Sequence, residues 1–551
     1  MDRPTQGPSR LKRALPVPHP AAMIVATLFF AASLAPSLVP RGALIQGVLS
    51  GFSIAAGYGI GLGLAAIWRF FQLPKVTFRF LPHLVGAGCI AVAAFTLTRA
   101  NGWQNDLRAL VDMPPVETLR PISVVLLTAA VFLLILWLSR GVRLTARSFR
   151  NWLGRFLPGP QAATIGIVLT ALLAWNLANG VLVRGAISVL DATYARLDAT
   201  FEEGSPQPTD PLKTGGPGSL LTWEGLGRAG REMIARGPDR AMIEEMTGAP
   251  ALEPLRVYAG LNSADDPQAR AALVLAELQR IGAFDRANLV INTPTGTGWI
   301  DPEGQTAVEY VLRGDVATVS VQYSYLASWI ALLVDPAYGV ETSRAVFAAV
   351  YGHWRTLPSD NRPRLYLHGL SLGSLNSDLS HDLFQVISDP FDGAFWVGPP
   401  FASRTWTQVT NSRNEGTPFW LPQYRDGSAI RFSSQTNTLD QASAPWGSFR
   451  IIYLQYASDG IVFFDPNSLW RRPEWLEGPR GPDVSPDFTW LPVVTLLQLG
   501  VDLMTAIVPP HGHGHNYRFD HYVDGWAALT DAPGWTQEGL EAMKAKVMAG
   551  R

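Results

Sequence analysis

The chain has one cysteine in 551 residues, Cys89, which excludes an intramolecular disulfide and a thiolate metal cluster. The compartment stays open, because an exported protein need not carry disulfides. The residues around it, Val85 to Phe95, are apolar, so Cys89 is expected to be a buried small hydrophobe. Lysine is scarce: of 44 basic residues 5 are Lys and 39 Arg, a coding bias and not chemistry. Charge is thin at 16% and balanced, at 44 basic against 45 acidic residues, so no field of one sign is available to hold nucleic acid or another polyanion. The length is too great for one ordinary domain, and at least two parts are expected.

What the chain has in abundance is long apolar runs, all near its start. Five stretches are apolar over about 18 or more positions, the length a hydrocarbon core of about 30 Å demands of a helix. They run from Ala21 to Val39, Ala43 to Phe71, Phe80 to Thr98, Ile122 to Leu138 and Ala162 to Val183. The second carries Gly51, Gly57, Gly59, Gly61 and Gly63, which reads as a face for close helix packing in a bilayer. Buried core helices would look alike singly, but five in succession joined by basic loops favour membrane spans. Arg10, Lys12 and Arg13 before the first run also fit a signal peptide; removing it would leave four spans with the same polarity.

Lys and Arg in alternate loops set the orientation. The N-terminal tail (Arg3, Arg10, Lys12, Arg13), the second loop (Arg69, Lys75, Arg79) and the fourth (Arg140, Arg143, Arg147, Arg150, Arg155) hold twelve. The opposite side holds six: Arg41, Arg99, Arg108, Arg120, Arg184 and Arg196. The tail is therefore expected in the cytoplasm, and an odd number of crossings sends the remainder to the outer face of a cell (inner) membrane. This placement depends on parity. The expected organisation is a cytoplasmic tail over 1–19, a transmembrane domain of about five helices over 20–185, a juxtamembrane segment and linker over 186–250, and a catalytic domain over 251–551.

Residues 201–220 (FEEGSPQPTDPLKTGGPGSL) are too rich in Pro, Gly, Ser and Thr for helix or core strand and read as a linker. Beyond Ala251, short β-rich runs alternate with amphipathic helices, as in a mostly parallel sheet with helices on both faces. Strands are expected at Leu255–Ala259, Asn288–Thr293, Val316–Gln322, Arg364–His368, Gly393–Val397 and Ile451–Tyr456, and helices at Pro267–Ile281, Val340–Leu357 and Leu375–Ile387.

Within this pattern an apolar strand runs into Gly369-Leu370-Ser371-Leu372-Gly373 and on into a helix. G-x-S-x-G in that setting is a nucleophile elbow: the serine sits on a strained turn, and a side chain at Gly369 or Gly373 would collide with the adjoining elements. The alternative is an ordinary Gly-Ser turn. A serine hydroxyl needs a base to take its proton and a carboxylate to orient that base. Asp459 fits the acid, since RIIYLQYASDG is an apolar strand ending at the same edge of the sheet; an Asp-Gly turn is the alternative, with Asp465 and Asp440 as substitutes. The base is sought in PPHGHGHNYRFDHY, Pro509 to Tyr522, which holds four of the nine histidines and precedes a terminal helix, Tyr522–Leu529. His515 and His513 are the two candidates, His515 preferred. His511, His513 and His515 alternate as metal ligands on one strand face would, but no carboxylate completes such a set. No metal and no cofactor is expected. His353, His368 and His381 are read as structural.

An oxyanion hole needs two backbone N–H groups. Leu372, after the nucleophile, supplies one; the loop in NLVINTPTGTGWID supplies the other from Thr297 or Gly298, unless that loop is a plain glycine turn. Its glycines do not make a dinucleotide fingerprint, because the third is absent.

On these residues the chain resembles the α/β-hydrolases, and within them a bacterial family of membrane-anchored members with a multi-span N-terminal domain. The likeness covers the spans, TPTGTGWID, HGLSLGS, SDGIVFFDP and GHGHNY. It implies a serine-dependent hydrolase, with Ser371 as nucleophile, Asp459 as acid and the base within GHGH, and it carries no substrate. One departure is an apolar helix, Thr489 to Val508, where a final strand is expected. That helix and seven tryptophans between 395 and 490 (Trp396, Trp406, Trp420, Trp446, Trp470, Trp475, Trp490) suit either core packing or a cap over an acyl cleft leaning on the bilayer. The expected partners are membrane lipids and a small acyl-ester or lipid substrate, with no nucleic acid. The rival reading is a channel, transporter or assembly protein with a degenerate hydrolase module; few ionisable residues in the spans speak for a transport path.

Overall fold

The computed structural model describes residues 19–74, 78, 80–201, 205–334 and 339–550. The tail over 1–18, with Arg3, Arg10, Lys12 and Arg13, lies outside the described residues, as do Lys75 and Arg79.

Apolar sequence folds first as a helical block: α1 (Pro20–Ser33), α2 (Ala43–Phe70), α3 (Leu81–Leu110), α4 (Pro121–Leu153) and α5 (Gly159–Trp175), the last running through a π-helical stretch, Asn176–Val183, into α6 (Arg184–Asp198). Among the described residues four helices are long and apolar enough to cross a membrane: α2, α3, α4 and Gly159–Gly180. The first is not. At 14 residues and about 1.5 Å per residue it reaches only about 21 Å, because the apolar run turns out of helix at Leu34 and its remainder, through Val39, becomes a loop. The glycine face of α2 is real at three of its five positions. A Cβ on Gly51 would stand 2.5 Å from Val131 of α4, and one on Gly61 or Gly57 2.5 or 2.8 Å from α1 atoms, whereas Gly59 and Gly63 meet nothing within 4 Å. The outer faces carry Ile90, Leu126 and Trp137, all largely exposed, an apolar surface of the kind that marks a membrane or protein contact. Cys89 lies on this half-exposed surface of α3 and not in a core.

The segment expected to be a linker is packed. Thr214 Oγ1 donates to the Arg256 carbonyl at 2.7 Å, and Ser219 Oγ and the Leu220 N–H donate to the buried Glu277 carboxylate at 2.7 and 3.0 Å. With α7 (Gly227–Arg236) and α8 (Arg240–Thr247), it joins the second domain ahead of residue 251.

That domain is built on seven strands: β1 (Leu255–Ala259), β2 (Asn288–Thr293), β3 (Val316–Val321), β4 (Arg364–Leu370), β5 (Gly393–Val397), β6 (Ile430–Ser433) and β7 (Arg450–Leu454). All pairings are parallel, in the order β1-β3-β2-β4-β5-β7-β6. The central strands are buried on both faces, which is why they read as unbroken apolar runs. Helices cover them: α9 (Pro267–Arg280), α10 (Pro302–Val311), α11 (Ser328–Val334), α12 (Val340–Trp354), α13 (Leu372–Asp378), α14 (Leu383–Val386), α15 (Arg404–Asn411), α16 (Val494–Met504), α17 (Phe519–Thr530) and α18 (Gln537–Ala549). The helix expected over Leu375–Ile387 is thus two pieces. Asp382 caps the second with its side chain, and Gln385 returns the bond to the Asp382 N–H.

The block and the domain share a buried seam. Leu38 and Val39, between α1 and α2, sit in the core of the sheet domain. Ser37 Oγ and the Leu38 N–H donate to the Asp502 carboxylate of α16 at 2.7 and 3.0 Å, and Gln498 Nε2 donates to the Ala35 carbonyl at 3.1 Å. The loop between α3 and α4 touches the same domain through Asp112 and His513. Both loops therefore lie on the side of the helical block that carries the sheet domain.

Candidate active site

Ser371 follows β4 directly and is the N-cap of α13, at φ 57° and ψ −127°. A non-glycine residue there costs about 1–3 kcal/mol and persists only where its surroundings insist. They do: the Ser371 N–H donates to Val397 O at 2.9 Å, and Ser374 Oγ donates to Ser371 O at 2.7 Å. The flanking glycines are obligatory. A Cβ on Gly369 would lie 2.4 Å from the Gly373 carbonyl carbon, and one on Gly373 would lie 2.3 Å from Thr293 O.

Asp459 closes the turn after β7 and is fully buried, its Oδ1 accepting the Ile461 N–H at 2.9 Å. His515 Nδ1 meets Asp459 Oδ2 at 2.6 Å. His515 Nε2 is buried and has no hydrogen-bond partner among the described residues. Ser371 and His515 line one cavity of about 720 Å³. A third group shares the carboxylate: the Tyr517 hydroxyl donates to Asp459 Oδ2 at 2.6 Å. Burial, and next the Asp459 charge, push that phenol far above its ordinary range, so it stays a donor. The His515 ring has room because the residue after β5 is Gly398, at φ 51°, where a Cβ would stand 2.5 Å from His515 Cε1.

His513 points elsewhere, between Asp112 and Asp483, and of the two candidate histidines it is His515 that meets Asp459. His511 lines the cavity. The three alternating histidines therefore diverge, and among the described residues no three His, Cys, Asp or Glu side chains gather as metal ligands. Asp465 caps the short turn Pro466–Leu469 through the Asn467 N–H, and Asp440 lies exposed on the surface; neither substitutes for Asp459. His368 is buried against Phe395 O at 2.7 Å, and burial holds its imidazole down to about 4; His381 is likewise pushed down to about 4 between Phe347 and Phe391. His353 lies edge-on to Phe284.

The loop after β2 offers fewer donors than its glycines suggest. Thr295 N–H donates to Trp299 O, Gly296 N–H to Ser328 Oγ, and Gly298 N–H back to Thr295 O. Gly298 is thereby removed as an oxyanion donor: its N–H is spent in its own turn at φ 83°, and its carbonyl accepts from Tyr258. Thr297 lines the cavity, and Leu372, at the first turn of α13, has an N–H without an intrahelical acceptor.

Part of the remaining wall comes from the apolar Thr489 to Val508 stretch, the one expected either to pack in the core or to cap an acyl cleft. Leu503, Met504, Ala506 and Ile507, in and after α16, give the cavity an apolar side, and Tyr194 of α6 comes from the helical block. None of the seven tryptophans between 395 and 490 lines it; Trp396, Trp406 and Trp475 are core, and the tryptophan that does contribute is Trp299. Asp301 stands opposite, its carboxyl pushed up to about 6 by burial against the pull of the Tyr522 hydroxyl and the Glu303 N–H. Of the residues that sequence reading did not single out, Tyr517 had a readable signal, a polar aromatic two residues beyond the histidine.

Such a site can take a proton from a hydroxyl at Nε2 while a buried carboxylate holds Nδ1–H. Comparison with family models gives two matches: residues 255–543 to the alpha/beta-hydrolase family, and residues 34–238 to the alpha/beta-hydrolase family N-terminus. Neither a curated protein nor a solved structure matches the chain. With over half its length inside the first model, and a parallel sheet covered by helices beneath an elbow serine, the chain belongs to the alpha/beta-hydrolase family.

Proposed function

We propose that this protein is an integral-membrane serine hydrolase, esterase or lipase-like, that cleaves an acyl ester of lipidic character through an acyl-enzyme on Ser371. The observation that carries the reading is the His515 imidazole, tied by Nδ1 to a buried carboxylate with Nε2 unpaired, in the cavity that Ser371 also lines. Ser371 Oγ attacks the ester carbonyl carbon as Nε2 takes its proton; the oxyanion rests on the Leu372 and Thr297 N–H groups; the imidazolium returns the proton to the departing alcohol. Water, deprotonated by the same imidazole, then releases the acid. A thioester, or an acyl acceptor other than water, would use the same groups.

The lipidic preference rests on the apolar wall from α16 and on its attachment to the membrane block. The reading of orientation in a cell (inner) membrane is supported by the loops. Between the 34–42 loop and α6 stand four helices of spanning length, an even number, so both ends share one side whether or not α1 crosses. The other side has Arg140, Arg143, Arg147, Arg150 and Arg155, the basic flank expected in the cytoplasm, which supports an extracytoplasmic catalytic domain. The test is comparison of lipid extracts from cells making wild type or Ser371→Ala: an acyl lipid should accumulate with the variant, and identical extracts would count against a lipid substrate.

A further inference from the structure

His513, excluded from the cavity, ties the loop bearing His515 to the membrane block. Its Nε2 lies 3.1 Å from Asp112 Oδ2, in the loop between α3 and α4, and its Nδ1 lies 3.5 Å from Asp483 Oδ2, an ion-pair separation. That same Asp483 oxygen accepts from Ser458 Oγ and Gln435 Nε2, each at 2.6 Å. Ser458 Oγ in turn accepts the Gly514 N–H at 2.8 Å. Ser458 precedes Asp459, and Gly514 precedes His515. One chain of polar contacts thus runs from a membrane-block loop to both neighbours of the bonded Asp459–His515 pair.

We infer that Asp112 and His513 are positioning residues, which seat the histidine loop against the membrane block and so make hydrolysis depend on that contact. The inference rests on the serine-hydrolase reading of the same site. A neutral imidazole has one N–H and would turn a lone pair toward one of the two carboxylates; the imidazolium satisfies both. Burial lowers the affinity of His513 for a proton, but the bonds and charges of Asp483 and Asp112 outweigh it and hold its pKa above the ordinary value. The other titratable group acting with it is His521 of α17, which burial keeps neutral down to about 4. A raised histidine pKa gives a seat that is complete in acid and is lost as pH rises through the folded value.

The test uses the full chain in detergent or nanodiscs, with Asp112→Asn, Asp112→Glu and wild type, and follows both fluorophosphonate labelling and hydrolysis of a soluble p-nitrophenyl ester against pH. Wild type should show a descending limb from His513. In Asp112→Asn the descending limb should move to lower pH, with the rate near pH 7.5 falling roughly 3- to 10-fold through kcat and with KM within about twofold; Asp112→Glu should restore most of it. Deuterium exchange at the His513 ring, read by mass spectrometry, should report a lowered pKa in Asp112→Asn whatever the activity. A labelled wild type with an unchanged Asp112→Asn profile overturns this inference alone. An unlabelled wild type overturns the hydrolase reading and this inference with it.

Discussion

Tyr517 donates its hydroxyl to Asp459 Oδ2, the same oxygen that holds His515 Nδ1, and both contacts are 2.6 Å. The carboxylate is thus fixed by two donors, and one of them is not the base. Tyr517→Phe removes one of the two bonds that orient the carboxylate behind the imidazole, and is expected to slow fluorophosphonate labelling roughly 3- to 10-fold and to cost about 1.5–3 kcal/mol of stability. An unchanged labelling rate would show that the phenol does not act on the base.

Gly398 is the point where the backbone makes way for the imidazole. Gly398→Ala would put a Cβ 2.5 Å from His515 Cε1 and 3.0 Å from its Nδ1, and would strain a backbone at φ 51°. Displacing the ring by about 1 Å is expected to slow labelling roughly 100-fold. Gly352, in α12, meets nothing within 4 Å, and Gly352→Ala should leave labelling unchanged. Equal rates for the two variants would contradict the placement of the imidazole.

Asp502 makes the seam between α16 and the 34–42 loop sensitive to pH. Burial raises its carboxyl to about 6, against the pull of Arg41, Ser37 and Leu38. An acid whose folded pKa exceeds its unfolded value takes up a proton on folding; its contribution to stability is present below about 4 and is lost as pH rises through about 6. Wild type is thus expected to lose stability between pH 4.5 and 7 by a larger step than Asp502→Asn, the difference being at most about 3 kcal/mol. Thermal unfolding in micelles at both pH values checks it; the same step in both proteins would remove Asp502 as the source.

The proposed membrane orientation makes a two-sided prediction. With Cys89 replaced by alanine, a cysteine at the exposed Gly478 position should react with an impermeant maleimide on intact cells, and one at Arg155 only after permeabilisation. The reverse pattern would place the sheet domain in the cytoplasm.

Legibility in the sequence followed burial. β1 to β5 and β7 are buried almost throughout and stand out as β-rich runs, whereas β6, the edge strand Ile430–Ser433, is four residues, half of them only partly buried, and carries no such run. The elbow was readable because Gly369 and Gly373 are forced by contacts within a strand-turn-helix that is local in the chain. What stayed hidden depends on contacts between distant segments. Ser37 with Asp502, and Asp112 with His513, join residues more than four hundred positions apart, and neither side carries a local pattern. Composition likewise could not show that Leu38 and Val39 leave the bilayer run to enter another core, which is why the first helix is short.

The account stands most directly on labelling of the purified full-length protein by a fluorophosphonate probe, compared among wild type, Ser371→Ala, His515→Gln and Asp459→Asn. Wild type should be labelled on Ser371, Ser371→Ala not at all, and the other two more slowly by roughly a thousandfold or more. A folded wild type that stays unlabelled, or labelling that persists in Ser371→Ala, would contradict it.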